Sequence, residues 1–196
     1  CGSFDLLEAA GIIALNAPDV QREKDRLQKY NIAFLFAPFF HPSLKVVAPV
    51  RKALGFPTIF NILGPLVNPA RPSRQMIGIA KPELAELMGP VALELGVEKV
   101  VFVHGMEGLD EVSVSDQTKI VEYIKGADPR YYIISPSDLG VGAYGTEQLK
   151  GGDVLENVRV VEATMNNTAT DAQRDFVLAN SGVALYAAGR VKTIKE

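Results

Sequence analysis

An α/β sandwich around a substantially parallel sheet is the fold class this sequence predicts, on three observations. First, strand-like residues 75–80 and 99–104 flank a helical stretch, 82–95, that opens on Pro82 and stops at Gly96. That is the β-α-β pattern, whose two strands run parallel. Second, Ile32-Ala33-Phe34-Leu35-Phe36-Ala37 is a continuous apolar run of strand length, as expected of a strand buried on both faces. Third, a long helix is expected over 170–188, where Phe176, Val177, Ala179, Ala184 and Leu185 supply the apolar positions, so strands and helices alternate along the chain.

In chain order, Ser3 is placed to cap a short helix over 4–11 that Gly11 stops. Residues 19–30, after Pro18 and rich in Arg, Lys, Glu and Gln, predict a solvated helix, and the apolar run that follows ends at Pro38. Leu44, Val47, Ala48, Arg51 and Leu54 recur at helical spacing, with Pro49 starting a new helix or bending this one. "TIFNILGPLVNPARPS" reads as a short apolar segment running into a Pro/Gly-rich loop. After the β-α-β unit come strands at 118–124 and 131–135, then a loop-like stretch over "SPSDLGVGAYGTEQLKGGD". There is no internal repeat.

With 196 residues, 47% of them hydrophobic and 22% charged, the chain has the composition of a globular protein with one main core. Its net charge of −3 gives no long-range attraction for nucleic acid or an anionic membrane, so an anionic ligand needs a local site. One cysteine, Cys1, rules out an internal disulfide, and no apolar run approaches a membrane span. The cytoplasm is the expected compartment. The opening Cys-Gly-Ser, running at once into a helix, reads as a break inside a longer protein.

"GLDEVS" at 108–113 sets Asp110 and Glu111 side by side after a strand. In open parallel sheets ligands settle outside the carboxyl ends of the strands. Two carboxylates in a loop there suit Mg²⁺, which takes hard oxygen ligands and shares a phosphorylated substrate. Taken alone, the pair also reads as two solvated acids on a turn, the commoner case. Arg51, on an otherwise apolar helical segment, is suited to a carboxylate ligand, or else snorkels or forms a structural salt bridge. His41 follows Phe39 and Phe40, an aromatic wall with a polar edge for a flat ring, or, the commoner case, a packed core with a turn-capping histidine. Gly64 and Pro65 in "NILGPLVNP" suit a close backbone approach, with Asn61 and Asn68 able to tie the loop to itself. Ser3 offers a hydroxyl and free amides to a phosphate, or is merely an N-cap. His104 carries no assigned chemistry. There is no Cys/His metal spacing, nucleophile elbow or Walker loop.

Taken together, "CGSFDLLEAAGI", "FLFAPFFHPSLKVVAPVRKALG", "TIFNILGPLVNPA", "GLDEVS" and "LKGGDVLENV", in this order and on through "FVLANSGVALYAAGRV", resemble the anthranilate phosphoribosyltransferase family. The resemblance implies an α/β fold with a mixed, substantially parallel central sheet flanked by helices, and a segment of a small helical domain. Residues 1–196 would form an incomplete C-terminal phosphoribosyltransferase domain, with about 42–60 contributing to the helical domain and hinge. It implies transfer of the phosphoribosyl group from phosphoribosyl pyrophosphate to anthranilate, with Mg²⁺ and usually as a homodimer. Motif for motif, Asp110 and Glu111 fall on the acidic pair that holds Mg²⁺ with the pyrophosphate. Arg51 falls on the arginine that contacts anthranilate, with His41, Gly64 and Pro65 lining that side, and Ser3 on a serine near phosphoribosyl pyrophosphate. No covalent intermediate, and hence no catalytic nucleophile, is implied.

The departures from the family pattern also set expectations. The glycine-rich pyrophosphate loop and a following Lys-His-Gly-Asn segment are expected upstream of Cys1, and a further helix after Glu196, so the 196-residue chain alone is expected to turn over little. Pro57 stands where the family often carries a basic residue, and "MNNTATDAQRD" lacks expected glycines. Two other readings are a nucleoside phosphorylase of the same superfamily, against which the Asp-Glu pair counts, and a nucleic-acid-binding paralogue, which would carry a basic face.

Overall fold

A computed structural model of the chain describes residues 2–13, 19–42, 47–55 and 58–196, with backbone alone at 38, 48, 51, 52 and 61. The chain divides into two units, Cys1–Gly64 with Gly151–Glu162, and Pro65–Lys150 with Ala163–Glu196.

The first unit is helical. Helix α1 (Ser3–Ala9) and α2 (Val20–Tyr30) lie where the sequence predicts them. The carboxylate of Asp19 caps α2 by accepting the Gln21 and Arg22 amides at 2.9 and 3.1 Å, which supplies partners for two orphan donors of the first turn. At the other end Asn31 takes the left-handed conformation, φ 57°, a common helix stop. Short helices α3 (Ala37–Phe40) and α4 (Ala48–Leu54) follow, and Pro49 near the start of α4 fits the restart expected there. The predicted positions Pro18, Leu44 and Pro57 lie outside the described residues.

The buried strand expected over 32–37 does not form. Residues 32–36 are irregular, Ala37 already begins α3, and Ile32 is 48% exposed. A strand needs a neighbouring ladder for its backbone groups, and no strand is found among the described residues of this unit. The backbone N–H of Phe34 instead donates to the Glu23 carboxylate at 2.7 Å, and the Arg26 guanidinium lies 5.4 Å from the Phe34 ring centre. Phe36 packs against Phe4 and Phe39, with ring centres 4.7 and 5.0 Å apart. The apolar run is thus used for aromatic packing between helices. A second correction concerns "TIFNILGPL", which forms helix α5 (Phe60–Leu66) with Pro65 inside it.

In the second unit the β-α-β reading holds. Strand β1 (Arg74–Gly78) pairs in parallel with β2 (Lys99–Gly105) in the register Gln75 to Val100, and helix α6 (Leu84–Glu94) joins them. Strand β3 (Thr118–Ile124) pairs antiparallel with β2, and β4 (Arg130–Ile134) antiparallel with β3, giving the order β1-β2-β3-β4. The sheet is therefore mixed, and one of its three ladders is parallel. Helix α7 (Val154–Met165), most of it in the first unit, has no counterpart among the predicted elements, whereas α8 (Asp171–Ala187) matches the helix expected over 170–188 and is capped by Thr170.

Alternation along β2, buried at every position, sorts the core onto two faces. Val101 and Val103 join Val112, Val114 and Ile120 against Ala179, Val183 and Ala187 of α8. On the opposite face Phe102 meets Tyr123 edge to face at 6.2 Å, and a Cβ on Gly89 of α6 would lie 2.3 Å from the Tyr123 ring. Gly89 is thus what lets α6 settle on the sheet. Full burial of one such aromatic contributes about 1.5–3 kcal/mol.

Candidate functional site

The loop bearing Asp110 and Glu111 leaves the carboxyl end of β2 and returns to β3. Its path is set by backbone bonds: Gly105 donates to Leu109 and Gly108 to Gly105, each at 2.8 Å, while Met106 donates to Gln117 at 2.9 Å. Gly108, at φ 103°, takes a conformation that L side chains rarely adopt. Beyond the acids the chain dives inward, with Val112 and Val114 fully buried and Ser113 nearly so. Ser113 is a hub: its hydroxyl donates to Glu107 and accepts the amides of Ser115 and Asp116 at 2.9 Å, while its own amide donates to Thr118 Oγ1 at 2.8 Å. A hydrogen-bonded floor therefore carries two exposed acidic residues.

Two residues hold this loop that sequence reasoning missed. A Cβ on Gly78, the last residue of β1, would sit 1.7 Å from the Asp110 carbonyl oxygen. The acidic loop therefore lies on the end of the parallel pair, where ligands of open α/β sheets bind. A glycine inside a strand pattern was the available signal. Asn180 of α8 accepts the Val112 amide and donates to the Val112 carbonyl, both at 2.9 Å. An Asn within a helix gives little hint of such a role. His104 holds the strand ends together, its Nδ1 lying 2.8 Å from the Ile79 carbonyl oxygen.

Partial burial of its carboxyl raises the pKa of Glu111, and the adjacent Asp110 charge raises it further. Asp110 sets a like charge beside the Glu111 carboxyl, so a cation there would relieve an existing repulsion. Among the described residues no group of three or more His, Cys, Asp or Glu could hold a metal by itself. A pair of hard oxygen donors fits Mg²⁺, which keeps waters and shares phosphate ligands.

The other predicted residues fall mainly in the first unit. Ser3 is exposed at the first position of α1, and Gly2, not Ser3, is the N-cap. The Gly2 amide donates to Asp5 at 3.0 Å. His41 is half-buried at the end of α3, its amide donating to the Ala37 carbonyl at 2.9 Å. Phe39 belongs to the aromatic cluster with Phe36. Arg51 lies in α4, and its side chain falls outside the described residues. Gly64 is exposed in α5 with no described atom near a Cβ built on it, while Pro65 is half-buried and its carbonyl accepts from Gln75 at 3.3 Å. Asn68 ties its own loop by accepting the Ala70 amide at 3.0 Å. "LKGGDVLEN" is likewise self-contained: Asp153 accepts the Glu156 amide at 2.8 Å and Asn157 the Gly152 amide at 3.0 Å.

A mixed sheet with helices on both faces and an acidic loop at its strand ends defines an α/β domain. The model of the glycosyl transferase family, a/b domain, matches residues 1–196, and the chain belongs to that family. It is 42% identical over its whole length to an anthranilate phosphoribosyltransferase of Herpetosiphon aurantiacus, of which it covers 57%. It is also 42% identical to one of Corynebacterium glutamicum, covering 55%. The chain thus spans a little over half the length of the curated relatives it matches. A crystal structure of anthranilate phosphoribosyltransferase from Thermus thermophilus superimposes with a TM-score of 0.88 at 37% identity, covering 99% of this chain and 56% of that one. The Saccharomyces cerevisiae protein in complex with phosphoribosyl pyrophosphate and Mg matches with a TM-score of 0.83 at 26% identity, over 99% of this chain and 54% of that one.

Proposed function

We propose that this chain is part of an anthranilate phosphoribosyltransferase, which joins the anthranilate amine to C1 of phosphoribosyl pyrophosphate and releases pyrophosphate in tryptophan biosynthesis. The observation that carries the reading is the pair of adjacent acidic residues, Asp110 and Glu111, held at the end of β1 and β2, in a chain similar to a relative solved with phosphoribosyl pyrophosphate and Mg. The N–C1 bond forms as the C1–O bond breaks, the amine loses a proton, and the electron pair leaves with pyrophosphate.

Asp110 and Glu111 are the residues that would hold Mg²⁺. Bound there, the ion supplies neutralisation of the negative charge that grows on the leaving pyrophosphate. The remaining work is binding and orientation, since an aromatic amine is already uncharged at neutral pH. Arg51 is assigned to the anthranilate carboxylate, for which a planar guanidinium is suited. His41, Gly64 and Pro65 are assigned to the same substrate, and Ser3 to phosphoribosyl pyrophosphate. Among the described residues nothing lies within 4 Å of a Cβ built on Gly64, which supports room for a ligand beside it. We assign residues 42–60 to the helical domain and hinge, and the intact protein to a cytoplasmic homodimer without nucleic-acid or membrane partners. The net charge of −3 offers no long-range attraction for a polyanion.

The test is to incubate the full-length gene product with anthranilate, phosphoribosyl pyrophosphate and Mg²⁺ and to follow the product by mass spectrometry. Stoichiometric phosphoribosylanthranilate and pyrophosphate are expected. Phosphate-dependent nucleoside cleavage in place of transfer would refute the reading.

A further inference from the structure

We propose that Asn180 is the positioning residue that sets where Asp110 and Glu111 present their carboxylates, an inference resting on the function proposed above. Its carboxamide pairs with both backbone polar groups of Val112, the residue directly after Glu111, from 68 positions away in sequence. The second proton on Nδ2 goes to the Phe176 carbonyl at 3.0 Å, one turn back in α8, which fixes the side chain to its own helix. Every donor of the group is therefore used, and its orientation is determined by the network.

The other end of the acidic step is held as well. The Asp110 carbonyl rests against Gly78, and Val112 is buried against α8. Asp110, Glu111 and Val112 are thereby pinned between β1 and α8, so the two carboxylates leave the loop from fixed backbone positions. Other side chains fail here for identifiable reasons. Ala makes none of the three bonds. Asp accepts the Val112 amide but sets a carboxylate against the Val112 and Phe176 carbonyls, and Gln is one methylene too long. Groups that orient metal-binding side chains commonly change metal affinity about 10–100-fold when removed.

The experiment uses the full-length gene product with Mn²⁺ as the probe, its free concentration read by electron paramagnetic resonance in the presence of phosphoribosyl pyrophosphate. Asn180→Ala and the isosteric Asn180→Asp are each expected to weaken Mn²⁺ binding by about tenfold or more, with the KM for anthranilate moving less than twofold. Mn²⁺ affinity within twofold of wild type in a folded variant, with only the melting temperature lowered, would overturn the inference and leave the proposed function standing. Wild-type protein that binds no Mn²⁺ with phosphoribosyl pyrophosphate would overturn both. Should neither variant fold, amide hydrogen exchange in the wild type decides. Val112 is expected to be protected like the β2 core, and rapid exchange there would remove the clamp.

Discussion

The backbone carbonyl of Asp110 occupies the space that a side chain at Gly78 would fill, 1.7 Å from an ideal Cβ. Because the obstructing atom is backbone, it cannot rotate aside as a side chain would. Gly78→Ala is therefore expected to displace the acidic loop and to cost about 1–3 kcal/mol, the usual range for overpacking. Urea denaturation would measure the loss of stability, and Mg²⁺ activation curves the displacement.

Asp110→Asn and Glu111→Gln, made together in the full-length gene product, are expected to lower turnover and weaken its magnesium dependence while leaving the fold intact. Both residues are exposed and each replacement matches its acid in shape, so the change alters charge without opening a cavity. Steady-state rates at a series of Mg²⁺ concentrations are the measurement; unchanged kinetics would exclude the role assigned to them.

The carboxyl of Glu111 is expected to titrate above the ordinary glutamate range, first because of burial and second because of Asp110. Asp110→Asn removes only the second cause, so the value should fall without returning to normal. A folded-state pKa above the unfolded one favours the folded chain below the unfolded pKa, and this contribution is lost as pH rises through the folded value. The same protonation competes with the cation, so Mg²⁺ affinity should weaken as pH drops through that window. Carbon-detected NMR titration of the labelled side chain measures the shift in each protein.

Acid sensitivity should centre partly on Asp175, buried on α8. The Tyr144 hydroxyl at 2.6 Å and the Gly142 amide at 2.9 Å hold its carboxyl below the usual range, with Arg174 assisting. A depressed carboxyl contributes stability above the unfolded pKa and loses it as pH falls through the folded value. Tyr144→Phe is expected to reduce stability at neutral pH and to flatten its decline between the unfolded and folded pKa values. Urea melts at pH steps across the carboxyl range would show an unchanged slope if this bond contributes nothing.

Phe102→Ala should cost about 3–5 kcal/mol, because the ring is wholly buried and packs edge to face on Tyr123. A loss below about 1 kcal/mol in chemical denaturation would mean that this face of the sheet repacks without it.

Local chemistry written in adjacent residues was legible without a structure. Pro82 and Gly96 around α6 carry the opening and stopping signals of a helix within a few residues. The β-α-β unit followed from them, and the acidic pair stood out because it follows a strand. The run at 32–37 misled for the opposite reason. Apolar content signals burial, but whether such a segment pairs in a sheet depends on a neighbour, and here aromatic packing against Phe4 and Phe39 took its place. Helix α5 escaped because Gly64 and Pro65 both argue against a helix.

By itself, then, the sequence determined where most helices and strands begin and end, and that two acids stand side by side after a strand. Only the tertiary structure decided that Gly78 and Asn180, remote in sequence from the acids, hold the loop that bears them. The physical reason is that capping and periodicity act over a few residues, whereas a carbonyl seated on a glycine or a carboxamide paired with a distant peptide exists only once the chain has closed on itself.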